Sequence, residues 1–362
     1  MSDQTRDTLR SKDDPIILDI RGMRVAVRTD AGEGPVLVDD VSLQLRRGEV
    51  IGLIGESGAG KSTIGLASMG YTRRDCHIVG GNIIFGDTDI RAVSPNERRE
   101  LRGPKIAYIA QSAAASFNPA HTLMEQVCEA AVRHGVLSPG QARAEAISLF
   151  KQLDLPSPET IGSRYPHQVS GGQLQRVMAA MAMVAKPDIL IFDEPTTALD
   201  VTTQVECLAA FRKLIREHGT AALYITHDLA VVAQIADRIM VLRRGKMVEF
   251  GDSRQILLEP KEEYTRRLVS ERVAGHNFVD ANVAAEVPIL AIDYVSADYP
   301  GKPKVIDDVS LEVRKGDTVA VVGESGSGKS TLARVITGLL PRVAGDVRFN
   351  GTSLSPRLKD RS

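Results

Sequence analysis

The sequence predicts an α/β protein. A parallel-sheet core carries an antiparallel β-subdomain and a helical insertion, and the N-terminal part of a second copy of the same domain follows. Three observations lead there. Short, continuously apolar runs at Val50–Ile54, Ile189–Phe192 and Ala222–Ile225 read as strands buried on both faces of a parallel sheet. Helical patterns alternate with them, as layered α/β domains require. Residues 36–63 (VLVDDVSLQLRRGEVIGLIGESGAGKST) recur as residues 304–331 (KVIDDVSLEVRKGDTVAVVGESGSGKST), so two domains of one type begin in this chain.

Residues 1–15 form a polar tail of mixed charge, without the apolar stretch of a secretory signal. The first domain spans residues 16–270. Ile16–Ile20 and Val41–Leu45 are its antiparallel strands, with Gly32-Glu33-Gly34-Pro35 expected as the turn between them. After Val50–Ile54, a helix opens at Lys61. Leu123–Leu153 is mostly helical and belongs to a helical subdomain at about 112–166. Arg98, Arg99, Arg102 and Lys105 read as a solvated face. Met178, Met181 and Met183 read as core beneath a helix that opens near Ser170. Residues 271–288 lack periodicity and read as a linker. In residues 289–362, the partial second copy, GDVRFNGTSL (345–354) parallels GNIIFGDTDI (81–90). Its β-subdomain and first core strand are expected to leave apolar faces uncovered.

The 362 residues are 43% hydrophobic and 25% charged with a net charge of −1, an ordinary globular balance that argues against a dedicated nucleic-acid binder. Cys76, Cys128 and Cys207 are scattered and read as reduced thiols. No apolar stretch is long and charge-free enough to span a bilayer, so a membrane role is expected through a partner.

Gly55-Glu56-Ser57-Gly58-Ala59-Gly60-Lys61-Ser62, followed by Thr63, fits GxxxxGKS. Glycines let backbone N–H groups turn inward around phosphate oxygens, and the helix that follows adds the positive end of its dipole. Lys61 then reaches the β- and γ-phosphates, and the Ser62 hydroxyl binds Mg²⁺. Ile189-Leu190-Ile191-Phe192-Asp193-Glu194 is an apolar strand ending in two carboxylates. Beside a phosphate loop, Asp193 is placed to hold the Mg²⁺ shell and Glu194 to orient and deprotonate water. Ser170-Gly171-Gly172-Gln173 opens an amphipathic helix, a second anion-receptive N-terminus, with Ser170 also suited to cap it.

The order of phosphate loop, SGGQ, apolar strand with Asp-Glu, PTTALD (195–200) and ITHD (225–228) resembles the ABC ATPases, whose signature is usually LSGGQ; Val169 stands in for the leucine. The resemblance covers residues 16–270 and implies a P-loop NTPase domain with a RecA-like core. It implies that Gln111 senses the γ-phosphate and Mg²⁺ and contacts the transport partner, that Asp200 belongs to the D-loop, and that His227 is the switch histidine. It implies an ATPase using ATP and Mg²⁺. Two domains would pair head to tail, so that Ser170, Gly171, Gly172 and Gln173 act on the ATP of a second ABC domain, tandem or homodimeric.

A finer resemblance is to the oligopeptide/dipeptide/nickel importer branch. It rests on Gly-Glu-Ser-Gly in both phosphate loops, Ser116-Phe117-Asn118-Pro119 after Gln111, Tyr165-Pro166-His167-Gln168 before the signature, and Tyr264-Thr265 after Glu259-Pro260. It implies two membrane permease subunits, a solute-binding protein and a peripheral position on the cytoplasmic face of the bacterial inner membrane. The alternative, a soluble ABC ATPase acting on nucleic acid or ribosomes, calls for a basic linker or zinc-binding cysteines. Neither is seen, and no nucleic-acid partner is expected. There are departures. Ser112-Ala113 replaces the usual Asp-Pro after the Q-loop glutamine. Val27 aligns with Tyr299, the position where family members stack an aromatic on adenine. The second copy has Tyr299, Gly323, Gly328, Lys329, Ser330 and Thr331, a nucleotide-binding set, but no signature, no Asp-Glu strand and no switch histidine.

Overall fold

The computed structural model describes residues 14–30, 32–73, 75–197, 199–273, 288–299, 301, 304–323 and 326–361. These divide into two compact units, one extending up to residue 275 and the other beginning at 276 and including the short segment 200–203.

The first unit opens with β1 (Ile16–Thr29) and β2 (Gly32–Arg46), paired antiparallel from Ile16↔Arg46 to Thr29↔Gly32. The turn expected at Gly32–Pro35 therefore lies earlier, and those four residues are the start of β2. The reason is reach: β1 runs on to Thr29, so the chain reverses before Gly32, which then pairs with Thr29. β3 (Val50–Ile54) and α1 (Lys61–Ser68) follow. β4 (Cys76–Phe85) and β5 (Thr88–Asp89) complete a four-stranded sheet in the order β2-β1-β4-β5. The short α2 (Pro95–Leu101) is set by a capping box in which Ser94 and Glu97 satisfy each other's backbone N–H. Beyond it, Arg102 departs from the solvated face expected of it. Its Nε donates to Met69 O (3.1 Å) and Nη2 to Gly70 O (2.7 Å), which satisfies carbonyls left open where α1 ends.

β6 (Ile106–Ile109) leads into the helical insertion, α3 (Ala113–Ser116), α4 (Leu123–Arg133) and α5 (Pro139–Gln152). Thr122/Glu125 and Ser138/Gln141 are capping boxes, and Pro139 at the first turn suits a position whose N–H has no intrahelical acceptor. Then come α6 (Gly171–Met183), β7 (Ile189–Asp193), α7 (Val201–His218), β8 (Ala221–Ile225), α8 (Leu229–Ile235), β9 (Arg238–Arg243), β10 (Lys246–Asp252), α9 (Ser253–Leu258) and α10 (Glu263–Val273). α10 takes up the first three residues of the expected linker. Residues 274–287 of that linker, like residues 1–13 of the N-terminal tail, lie outside the described residues.

The central sheet has the order β10-β9-β3-β8-β7-β6, parallel throughout except for β10. Its strands are continuously apolar because they face two cores. Leu190, Phe192, Ala222 and Tyr224 point to the side of the helical insertion, and Ile189, Ile191, Leu223 and Ile225 to the side of the β-subdomain and α1. Phe192 anchors the first core between Tyr224 and Phe211, with ring centroids 5.3 and 5.2 Å away. Met178 and Met183 are fully buried there and Met181 packs at the edge.

The second unit repeats the β-subdomain. β11 (Leu290–Ala297), β12 (Ile306–Val313), α11 (Lys329–Ile336), β13 (Ala344–Phe349) and β14 (Thr352–Ser353) give a sheet ordered β12-β11-β13-β14, the order of β2-β1-β4-β5. The segment matching β3, residues 318–322, is not a strand here. β3 is hydrogen-bonded to β8 on one side and β9 on the other. Among the described residues of the second unit no such neighbours exist, and a lone strand cannot satisfy its backbone groups. Val319, Val321 and Val322 are exposed, Val322 at 86%, in line with the uncovered apolar surface read from the sequence.

Candidate functional site

The site begins where β3 ends. The chain turns through Gly55 (φ 149°), Gly58 (φ 80°) and Gly60 (φ 94°) before α1. A Cβ at Gly55 would lie 2.2 Å from Leu242 O, and one at Gly60 would lie 2.9 Å from Leu37 O. These two glycines are required by space as well as by backbone angle. Gly60→Ala is expected to destabilise the domain by about 1–3 kcal/mol, since it adds a clash to a strained φ. A thermal melt with an unchanged midpoint would contradict this. Lys61, the first residue of α1, is 6% exposed, and its ammonium donates to Gly55 O (2.8 Å) and Glu56 O (2.9 Å). The loop is thus closed around a buried cation. Burial lowers the Lys61 pKa, opposed by the nearby Glu194 and Asp193 carboxylates.

Both carboxylates are held. Asp193, buried at the end of β7, accepts from Ser62 Oγ on Oδ1 (2.8 Å) and from Tyr108 OH on Oδ2 (2.5 Å). Glu194 follows at φ 48°, and its N–H donates to Ile225 O (2.9 Å) in β8. A left-handed glutamate is strained, and such strain concentrates at functional sites. Its Oε2 accepts from Gln111 Nε2 (3.3 Å) and Thr197 Oγ1 (3.2 Å), and its Oε1 lies 3.1 Å from His227 Nδ1. Sheet order explains the convergence. β6, β7 and β8 are parallel neighbours, so Gln111, Asp193-Glu194 and His227 leave the same edge side by side. β3 lies beside β8, which brings the Gly55–Thr63 loop to that edge. Ligand sites in parallel α/β sheets form at the carboxyl ends of the strands.

Ser170 is the N-cap of α6. Its Oγ accepts from Gln173 N (3.2 Å), and Gln173 Oε1 accepts from Ser170 N (3.1 Å). A Cβ at Gly171 would meet nothing within 4 Å, so the helix N-terminus presents open backbone. Asp200 caps α7, accepting from Thr203 N (3.0 Å) and Thr203 Oγ1 (2.9 Å). The hydrogen bonds of Ser170 and Gln173 stay within their own cap. The structure gathers Gln111, Asp193, Glu194 and His227 at the phosphate loop, while 170–173 form the N-terminus of α6.

In the second unit Lys329 Nζ donates to Gly323 O (2.7 Å), as Lys61 does to Gly55 O, and Gly328 (φ 97°) repeats Gly60. Ser330 is exposed and Thr331 buried. Tyr299 lies beyond the end of β11, and its hydroxyl accepts from Arg334 Nη1 (2.9 Å) and lies 3.5 Å from Thr331 Oγ1. Val27, the aligned residue, is inside β1 and paired with Cys76.

Sequence reasoning missed Tyr108 and Thr197. Thr197 sits three residues after Glu194 in the quoted PTTALD run, a signal within reach. Tyr108 carries none, because its contact with Asp193 spans 85 residues. Burial first, and then Asp193, raises the Tyr108 pKa, so its phenol stays a donor.

The fold and the site together define a nucleotide-binding domain of the phosphate-loop class. The chain belongs to the ABC transporter family, whose model matches residues 38–197 and 306–362. It is 37% identical over 351 residues to a peptidoglycan transport ATP-binding protein, YejF, of Agrobacterium fabrum (strain C58 / ATCC 33970), covering 93% of this chain and 63% of that protein. It is 35% identical over 389 residues to the glutathione import ATP-binding protein GsiA of Salmonella choleraesuis (strain SC-B67), covering 95% of this chain and 61% of that protein. The chain thus spans under two thirds of the length of these relatives. Among solved structures, a dimeric post-hydrolysis state of the ATP-binding cassette MJ0796 bound to ADP and Pi matches at 25% identity and a TM-score of 0.57, covering 66% of this chain and 99% of that one. Among the described residues, no helix is long and apolar enough to cross a membrane.

Proposed function

We propose that the chain binds and hydrolyses ATP and energises an importer for di- or oligopeptides or related small solutes. The observation that carries this is Glu194, held between Gln111 and His227 beside Lys61 and Asp193. The relatives' roles in peptidoglycan transport and glutathione import support the import of peptide-like solutes.

In this reading, Lys61 and the N–H groups of the Gly55–Thr63 loop bind the β- and γ-phosphates, since an ammonium and convergent amides match phosphate oxygens. The donor set near Ser62 suits Mg²⁺. A hydroxyl and a carboxylate oxygen already lie 2.8 Å apart, and Gln111 offers an amide oxygen, all hard ligands. Ser62, Asp193 and Gln111 would hold the cation, and when bound it supplies charge neutralisation at the phosphates. Glu194 accepts the proton of the attacking water. Gln111 and Thr197 orient one of its oxygens and leave the other facing His227, which contacts the γ-phosphate.

Ser170–Gln173 bind the nucleotide of a second ABC domain. The partners are two membrane permeases and a solute-binding protein, with the chain peripheral on the cytoplasmic face of the bacterial inner membrane. Mixing two inactive full chains tests the trans arrangement. Lys61→Ala together with Ser170→Arg is expected to regain turnover, because each mixed pair holds one site built from intact halves. A mixture as inactive as its components would refute action in trans between the first domains of two chains.

A further inference from the structure

We propose that Tyr108 is a positioning residue that holds the carboxylate of Asp193 in its metal-binding orientation. The proposal deepens the ATPase reading above and rests on it. Tyr108 lies in β6 opposite Ile191 in β7, two residues before Asp193. Residues 191 and 193 share one face of the sheet, and Tyr108 and Ile191 pack in the same core. Two residues of strand advance about 6.6 Å. That is close to the span of a tyrosine side chain, so the phenol runs along the sheet and ends at the carboxylate. There its hydroxyl donates to Oδ2 at 2.5 Å while Ser62 Oγ donates to Oδ1 at 2.8 Å.

The two hydroxyls are not equivalent. Ser62 sits in the first turn of α1 at the phosphate loop and is itself a candidate ligand, so its bond to Asp193 is exchanged when a cation binds. Tyr108 approaches from the neighbouring strand on the opposite oxygen, and its bond persists through that exchange. It fixes the rotation of a buried carboxylate that would otherwise turn about its terminal torsion. Partners that orient a ligating carboxylate in this way govern metal affinity.

Tyr108→Phe keeps the ring and removes only the donor. In the full chain with ATP bound and Mg²⁺ absent, Mn²⁺ affinity read by electron paramagnetic resonance is expected to fall about 10- to 100-fold. ATP affinity in chelator should be unchanged, and turnover should need more metal while reaching a similar maximal rate. Unchanged Mn²⁺ affinity in the variant would overturn the positioning role. So would a fall in metal-free ATP affinity and thermal midpoint with no change in metal dependence, which is the mark of mere packing. A wild-type chain that binds neither Mn²⁺ nor ATP would instead overturn the ATPase reading together with this one.

Discussion

Glu194→Gln is expected to bind ATP and yet release phosphate at least about 100-fold more slowly than the wild type, the loss that follows removal of a general base. The substitution is nearly isosteric. An amide can still meet Gln111, Thr197 and His227, and the backbone bond from residue 194 to Ile225 is untouched. What disappears is the ability to take a proton. With Ser170–Gln173 acting in trans as proposed, uncleaved ATP would continue to bridge a phosphate loop to a partner's signature, and ATP-dependent dimers should accumulate. Phosphate release and size-exclusion chromatography read the two effects separately. Near-normal turnover would remove Glu194 from the role of base.

The second large effect concerns binding. Lys61→Ala is expected to weaken ATP affinity by about 100-fold, since bonds between a charged donor and phosphate contribute up to about 3 kcal/mol and each 1.4 kcal/mol is a factor of ten. Loss of the ammonium also leaves the loop carbonyls of Gly55 and Glu56 without their donor and Asp193 and Glu194 without a neighbouring cation. The sign of the pH dependence follows from burial. A lysine whose pKa is lowered by desolvation loses its charge earlier as pH rises. ATP affinity should therefore decline on the alkaline side in the wild type, and that decline should be absent in Lys61→Ala. Isothermal titration across pH checks both, and unchanged affinity in the variant would take Lys61 out of the site.

Much of this was legible before the structure. The phosphate loop, the Asp-Glu strand end and the SGGQ helix start are contiguous in sequence, and each combines residue types whose chemistry is local: glycines for positive φ, a lysine at a helix start, a serine that caps. Gly55 and Gly60 do carry positive φ, Lys61 does open α1, and Ser170 does cap α6. The two-copy pattern was equally plain, since β11, β12, β13 and β14 repeat the order of β1, β2, β4 and β5.

Other features were not legible. Arg102 looked solvated because the two carbonyls it binds belong to Met69 and Gly70, more than thirty residues earlier in the chain. The hairpin turn was misplaced because glycines mark turns only where the pairing register lets the chain reverse. The segment of the second copy that aligns with β3 is similarly apolar, yet it is not a strand, because a parallel strand exists only between neighbours.

The sequence by itself determined which groups this protein can bring to a nucleotide: an ammonium in a glycine loop, a hydroxyl, two carboxylates, a glutamine and a histidine. Only the tertiary structure decided how they meet. The order β3-β8-β7-β6 sets the ends of strands that are distant in sequence side by side, and so gives Glu194 its place between Gln111 and His227 and Asp193 its bond from Tyr108. The reason is that hydrogen bonds across a parallel sheet depend on which strands are adjacent in space, which no local run of residues encodes.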